Sequence, residues 1–115
     1  MNTDTFKILD GKISILGKVL FLPHPATEAI TYLDLIIVKV ESPAGTIFNR
    51  NVFGFSKNGE LRWQIQESEH GTQQDKPYID ILINTDGALL AANWNGVNYL
   101  IDPDNGKITV YAFDK

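Results

Sequence analysis

Apolar and polar residues alternate along most of this chain, in short runs that end at glycine, proline or asparagine. Successive side chains of a β-strand point to opposite faces, so this alternation predicts strands that bury one face. We expect Phe55, Trp63, Ile81, Leu90 and Ile101 to be buried. Shorter alternating runs before residue 23 predict further strands, in addition to the clearer runs that follow. The pattern predicts an all-β fold of seven to nine antiparallel strands, in two consecutive meanders that pack face to face. The clearest runs are residues 31–41, 46–56, 61–66, 78–84, 88–94, 97–101 and 107–113.

One segment fits two kinds of secondary structure. Ile30, Leu33 and Ile37 have the spacing of one face of a helix, whereas the β-branched run that follows favours a strand. We predict a short helical turn at residues 26–30, followed by one long strand over residues 31–41.

Turn residues mark four hairpins, at Asn58-Gly59, Asp86-Gly87, Asn95-Gly96 and Asn105-Gly106. Asp-Gly and Asn-Gly pairs favour two-residue type I′ turns, in which both central residues have positive φ. We therefore expect this turn type at residues 86–87 and 95–96.

A weak internal repeat relates two of these hairpins. Residues 53–63 and residues 99–110 each contain an alternating run, a polar turn closed by glycine, and a second alternating run, and they start 46 residues apart. This period, filled with short strands, is the spacing of β-propeller blades. A chain of 115 residues has room for only about two four-stranded blades. The fold class predicted is thus an antiparallel meander of about two propeller-like blades, which is half a β-propeller.

The composition fits one globular domain. The chain has 115 residues, of which 43% are hydrophobic, and no cysteine. We expect a single all-β domain over residues 1–115, with one blade-like unit at about residues 1–66 and another at residues 77–115. The lack of cysteine favours the cytoplasm. The longest nearly apolar run, residues 33–40, is too short to span a bilayer, so we expect no membrane partner.

The charge argues against direct binding of nucleic acid. The formal net charge is −4, and the ten lysines and arginines are scattered along the chain. A nucleic-acid-binding protein needs a basic surface that displaces counterions from phosphates. A mildly acidic surface is instead compatible with a basic protein partner.

The sequence has weak signals for catalysis. His24 and His70 are the only histidines, and neither belongs to a spaced metal-binding or catalytic motif. Residues 102–106 have the acidic composition of a calcium loop, but Gly106 and Phe113 stand where such a loop needs oxygen ligands. A hairpin turn explains the segment better. We expect a protein that is not an enzyme and that holds no cofactor and no metal.

The one long polar stretch is the best candidate for a binding site. Residues 67–76 contain no large apolar side chain, and they are either a solvated connector or a functional loop. Trp94, at a hairpin end, is either a lid over the core or an exposed anchor for a partner. The candidate binding residues are Glu67, Glu69, His70 and Asp75 on the loop, Trp94, and the hairpin aspartates Asp86, Asp102 and Asp104.

Two resemblances extend these observations. The repeat segments resemble those of quinoprotein-type and related β-propellers over roughly residues 31–113, which implies a fold but no function. The whole chain, which is small, acidic and free of cysteine, is similar to the immunity proteins of bacterial contact-dependent growth inhibition that are paired with toxins resembling pancreatic ribonuclease. That similarity concerns size and architecture, so no functional residue is carried over.

The second resemblance implies a function that fits the charges. A ribonuclease needs a cationic cleft to hold phosphates, and a protein that blocks the cleft needs carboxylates on a rigid scaffold. We expect an immunity protein that forms a heterodimer with a basic nuclease toxin domain and blocks its active-site cleft. The alternative is a free-standing ligand-binding or regulatory module that completes its propeller by forming oligomers.

Overall fold

The computed structural model of the chain describes residues 6–113, and these residues form eleven strands and no helix. Every paired strand runs antiparallel to its neighbour. The all-β fold class predicted from the alternation is confirmed. The strands are β1 (Lys7–Leu9), β2 (Lys12–Ile15), β3 (Lys18–Val19), β4 (Ala26–Tyr32), β5 (Leu35–Val40), β6 (Val52–Ser56), β7 (Leu61–Gln64), β8 (Tyr78–Ile83), β9 (Leu89–Asn93), β10 (Val97–Ile101) and β11 (Ile108–Phe113).

The strands form three sheets, each of which is a meander of consecutive strands. The N-terminal sheet contains β1 to β3, the central sheet β4 to β7, and the C-terminal sheet β8 to β11. The first strand of each sheet contacts the first strand of the next, because β4 lies against both β1 and β8. The two segments of the sequence repeat occupy equivalent places, since β6–β7 and β10–β11 are the last two strands of their sheets.

The three sheets are stacked, with the central sheet buried on both faces. Strand β5 is buried along its whole length because its two sets of side chains enter different cores. Leu35 and Ile37 pack with the C-terminal sheet, whereas Ile36 and Val38 pack with the N-terminal sheet. A strand with two buried faces has no polar alternation, which explains why this run is apolar except at the buried Lys39. One core joins the central and C-terminal sheets, and the other joins the central and N-terminal sheets.

The predicted core positions are buried. The five side chains expected inside are each at most 5% exposed, and four of them lie in the two cores. Phe55 packs towards the N-terminal sheet, whereas Trp63, Ile81 and Ile101 pack between the other two sheets. Leu90 is also buried, but it belongs to neither core and lies on the outer side of the C-terminal sheet. In residues 6–113 there is no helix long and apolar enough to cross a membrane.

The predicted helical turn at residues 26–30 and the single strand at residues 31–41 are wrong. The first segment lies in β4, and the second is broken by a tight turn that leads into β5. Tyr32 pairs with Leu35 across this turn, and Leu33 between them has a φ of 55°. Apart from glycine, few residues adopt this conformation, and those that do are most often asparagine, aspartate or histidine, so leucine at this position gives no sequence signal of the turn.

The long strand predicted at residues 46–56 is also wrong, because the strand begins only at Val52. Asn49 and Asn51 explain the difference, since both side chains bond to the backbone of the connection that leads into β8. These side-chain bonds join residues 49–51 to the segment that leads into β8, and β6 begins only after them.

The number of strands and the turn type also differ from the predictions. Eleven strands replace the seven to nine expected, because the short runs before residue 23 form a sheet of their own. Gly87 and Gly96 have positive φ, but Asp86 and Asn95 do not, so neither hairpin has a type I′ turn. At Asp86-Gly87, the Asn84 side chain accepts hydrogen bonds from Asp86 N and Ala88 N, at 2.9 Å each, and stabilises a three-residue loop instead.

Candidate functional site

The polar loop leads from β7 to β8, and its first half is fixed to the C-terminal sheet. Ser68 is buried, and its hydroxyl forms a hydrogen bond with the hydroxyl of Tyr99. Asn95 Nδ2 donates to Ser68 Oγ at 2.9 Å and to the carbonyl of His70 at 3.1 Å. His70 Nδ1 lies 2.9 Å from the Tyr99 hydroxyl. The first half of the loop is therefore ordered by side chains of the hairpin between β9 and β10 and of β10 itself.

The second half of the loop is fixed by two buried asparagines. Asn49 Nδ2 donates to the carbonyl of Gln74 at 2.7 Å, and Asn49 Oδ1 accepts from the backbone N–H of Lys76 at 2.8 Å. Asn93 Nδ2 donates to the carbonyl of Lys76 at 2.9 Å. Each buried amide satisfies backbone groups that lie outside any sheet. The loop is thus held at both ends and is not a free connector.

The carboxylates of the loop point into solvent. Glu67, Glu69 and Asp75 are exposed, and one oxygen of Glu67 accepts a hydrogen bond from Asn49 Nδ2 at 3.2 Å. Glu67 and Glu69 line a wide, shallow groove of about 830 Å³ that also contains Arg50 and Lys107. Arg50 donates to two backbone carbonyls of the β7 end, at 2.8 and 3.2 Å. The groove therefore has acidic and basic residues in its lining, and the acidic ones, Glu67 and Glu69, belong to the loop.

Trp94 lies beside this loop and is 64% exposed. Its backbone N–H donates to the carbonyl of Pro77 at 2.9 Å, and the next residue, Asn95, bonds to Ser68 and His70. Of the two interpretations of Trp94, the lid over the core is wrong, because most of the indole is in solvent. The structure therefore places the hairpin of Trp94 and Asn95 against both ends of the loop, through Pro77 and through Ser68 and His70.

The hairpin of Asp102 and Asp104 borders the start of the loop. Gln66 N donates to the carbonyl of Gly106 at 3.0 Å, and Trp63 Nε1 donates to that of Pro103 at 2.8 Å. Asp102 Oδ1 accepts from the backbone N–H of Asp104 at 2.9 Å, which is the role of an aspartate in a turn. In residues 6–113, no group of three or more histidine, aspartate or glutamate side chains is placed to hold a metal ion.

Asp86 is separate from the other candidates. Its hairpin joins β8 to β9 at the end of β8 opposite the loop, where Tyr32 donates its hydroxyl hydrogen to the carbonyl of Gly87 at 2.8 Å. His24 is also elsewhere, because its ring packs edge-on against Phe48, with centroids 4.8 Å apart. The structure thus groups seven of the eight candidates around the loop or on its flanks, and leaves Asp86 apart.

Sequence reasoning missed a carboxyl pair between the central and C-terminal sheets. Glu28 on β4 and Asp80 on β8 lie close enough to interact. Burial raises the pKa of Glu28, and the neighbouring Asp80 raises it further. Lys39, which is 4% exposed, partly offsets this rise, and its Nζ donates to Thr27 Oγ1 at 2.9 Å and to Glu41 Oε2 at 3.2 Å. No sequence motif could have shown the pair, because Glu28 and Asp80 are 52 positions apart in the chain.

We expect Glu28→Gln to flatten the pH dependence of stability. A raised pKa in the folded state means that folding favours the protonated carboxyl, so stability from Glu28 is present at acidic pH and is lost as pH rises through the folded pKa. Glutamine stays neutral at every pH. Relative to wild type, the variant should therefore gain in melting temperature at pH 7, and the gain should vanish as pH falls to the ordinary glutamate value of 4.5.

Thermal denaturation of both proteins across this pH range measures the effect, with Glu60→Gln, at an exposed turn, as the matched control. A difference in melting temperature that does not change with pH would contradict the role of the carboxyl pair.

Comparison with known proteins places the chain in a family but gives it no function. The family described as a domain of unknown function, DUF7957, matches residues 4–113. No curated protein and no solved structure matches the chain. Because the match covers nearly the whole sequence, the chain belongs to the DUF7957 family.

Proposed function

We propose that this chain is a non-enzymatic immunity protein that binds a basic ribonuclease toxin of a contact-dependent growth inhibition system and blocks its active-site cleft. The observation that carries the proposal is an exposed set of carboxylates on a loop that is already ordered. Glu69 and Asp75 point into solvent while buried side chains hold the loop backbone. A loop fixed before binding loses little conformational entropy when a partner arrives.

The chemistry of the partner follows from the charges. A ribonuclease holds RNA phosphates with lysines and arginines, and carboxylates at similar positions compete for the same cations. Glu67 and Glu69 lie on one side of the groove, and Asp75 lies at the far end of the loop. The protein acts by occupying the cleft, so it needs no catalytic residue. It works in the cytoplasm, which is where the RNA to be protected lies.

We further propose that the stacked sheets are propeller-like blades. Two of them are four-stranded meanders, and the first strands of all three sheets lie next to one another, as the inner strands of a propeller do. In this arrangement, the loop between β7 and β8 is a connection from the outer strand of one blade to the inner strand of the next. Such connections lie on one end face of a propeller, where partners have access.

The direct test is inhibition of RNA cleavage. The cognate basic nuclease domain of such a system should be inhibited by one molar equivalent of the protein, and the two should migrate as one complex in size-exclusion chromatography. A nuclease that stays fully active and migrates separately would contradict the proposal.

Trp94→Ala should weaken the complex mainly by faster dissociation. A tryptophan that becomes fully buried at the centre of an interface typically contributes about 2 kcal/mol or more, which corresponds to roughly a 30-fold loss of affinity. Trp94→Phe keeps an aromatic ring and should lose much less. Dissociation rates measured by surface plasmon resonance give both values, and equal rates for Trp94→Ala and wild type would show that Trp94 lies outside the interface.

A cavity favours the second candidate function, a ligand-binding module. It has a volume of about 250 Å³ and lies between the central and C-terminal sheets, and its lining includes Lys39, Phe48, Asp75 and Tyr78. Glu41 also lines the cavity and is paired with Lys39 at 3.2 Å, so the lining, with the further carboxylate of Asp75 and two aromatic rings, suits a small cationic or zwitterionic molecule. The two functions are distinguished by thermal shift with a library of small metabolites, because a specific rise in melting temperature favours the module and complex formation with the nuclease favours the immunity protein.

A further inference from the structure

The stack of three sheets has two outer faces, and the outer face of the N-terminal sheet is apolar and basic. Ile13, Ile15 and Leu20 point into the core, so the alternate positions point outward. Lys7 and Val19 both pair with Ser14 on the outer side, and Leu9 pairs with Lys12. Leu9 is 74% exposed, Val19 is 62% exposed, and Phe21, two positions further along, is 95% exposed. A phenylalanine exposed to this degree costs free energy unless a partner covers it.

The outer face of the C-terminal sheet is also apolar. Ile81, Ala91 and Tyr99 point into the core, and the residues beside them point outward. Leu82, Leu90 and Leu100 form a row across three strands, with Thr109 of β11 as the fourth member. Leu82 is 37% exposed and Leu100 is half-buried, whereas Leu90 between them is only 5% exposed. The central sheet has similar rows of aliphatic side chains on both of its faces, and both are buried.

Charge is distributed unevenly along the stack. Residues 6–25, with the N-terminal sheet, carry three lysines and one aspartate. Residues 26–64, with the central sheet, carry four acidic and four basic side chains. Residues 78–113, with the C-terminal sheet, carry four aspartates and one lysine. The net charge is +2 for the N-terminal segment and −3 for the C-terminal segment, with Asp80 directed at Glu28 and the other three aspartates in hairpin turns. A contact between one N-terminal and one C-terminal sheet therefore brings together sheets of opposite net charge, whereas a contact between two like sheets does not.

We propose that the occupant of these faces is a second copy of the chain, packed head to tail. The outer face of the N-terminal sheet of one copy covers the outer face of the C-terminal sheet of the other. A twofold axis repeats the contact and closes a ring of six sheets, which lies within the range of about four to eight blades found in propellers. The apolar side chains of this contact are not among the residues proposed to meet the nuclease, and the contact is tested on the protein alone.

The test begins with the molar mass of the full chain in solution, measured by sedimentation velocity over a range of concentrations. Wild type should reach twice the 12.9 kDa mass of one chain and no more. Phe21→Asp damages one face and Leu82→Asp damages the other, and each variant alone should be a monomer. Leu33→Asp is the matched control, because Leu33 is 71% exposed but lies on neither outer face, and it should remain a dimer.

Mixing the two monomeric variants distinguishes head-to-tail packing from other dimers. Phe21→Asp keeps an intact C-terminal face, and Leu82→Asp keeps an intact N-terminal face. A mixture of the two variants should therefore form a dimer held by one intact contact. Because wild type has two such contacts, the mixed dimer should form only at a higher protein concentration. If circular dichroism shows that Leu82→Asp is unfolded, Thr109→Arg replaces it on the same face. A monomeric wild type, a single variant that stays dimeric, or a mixture that stays monomeric would each overturn the proposal.

Discussion

Replacing Trp63 with alanine should lower the free energy of unfolding by about 3–5 kcal/mol. The indole is 5% exposed and lies in the core between the central and C-terminal sheets. It packs on Gly54 so closely that a Cβ at that position would lie 2.3 Å from the ring, and on Gly106 in the same way at 2.8 Å. Both glycines leave space that only the ring fills. Alanine would leave a cavity where two sheets meet.

Trp63→Phe separates the packing of the ring from its hydrogen bond. Phenylalanine keeps most of the apolar contact but cannot donate to the carbonyl of Pro103, which Trp63 Nε1 reaches at 2.8 Å. It should therefore lose less than Trp63→Ala, with about 1 kcal/mol of the loss due to the hydrogen bond. Urea denaturation measures both variants. If Trp63→Ala loses less than about 1 kcal/mol, which is typical of surface changes, the ring does not join the sheets.

Asn51→Ala should be the second large loss of stability, at about 3 kcal/mol or more. Asn51 is 2% exposed and its amide joins two sheets, because Nδ2 donates to the carbonyls of Val40 and Tyr78, at 3.0 and 2.8 Å, and Oδ1 accepts from Tyr78 N at 2.8 Å. Alanine leaves these groups without that partner, and each buried polar group without a partner costs about 1–3 kcal/mol.

Asn58→Ala is the matched control for this loss, since Asn58 is exposed in a hairpin turn. Its free energy of unfolding should stay within about 0.5 kcal/mol of wild type. Equal losses at the two asparagines, measured by urea denaturation, would show that the amide of Asn51 does not hold the sheets together.

Alternation was sufficient to predict the fold class, since a strand buried on one face leaves a period of two in the sequence. It was also sufficient for Phe55, Trp63 and Ile101, which are buried as expected. It failed at residues 26–41 because the turn depends on Leu33 with positive φ, a backbone conformation that leucine does not signal. The third sheet was missed because strands as short as Lys18–Val19 contain too few residues to show a period.

The candidate site was predictable only in its composition. The acidic residues of the polar loop could be found by their run in the sequence, but the partners that hold the loop could not. Asn95 and Tyr99 reach Ser68 from more than 25 residues away, and this pairing depends on how the sheets stack. Glu28 and Asp80 meet for the same reason. Contacts between sheets have no local sequence pattern, because the period of a strand reports only whether a face is buried.

The most direct measurement of the central claim is the association rate with the basic nuclease domain at two ionic strengths. The variant is Glu69→Lys with Asp75→Lys, both exposed on the loop, while Glu67 is kept because it bonds to Asn49. The matched control, Asp34→Lys with Glu60→Lys, changes the net charge equally at exposed turns elsewhere.

At low salt, the loop variant should associate about tenfold more slowly than wild type, and the difference should shrink as salt rises. The control pair should lose much less, because its charges lie away from the contact. Loop and control variants that associate at the same rate, or a loop variant that binds as fast and as tightly as wild type at both salt concentrations, would contradict the claim that the acidic loop binds the nuclease.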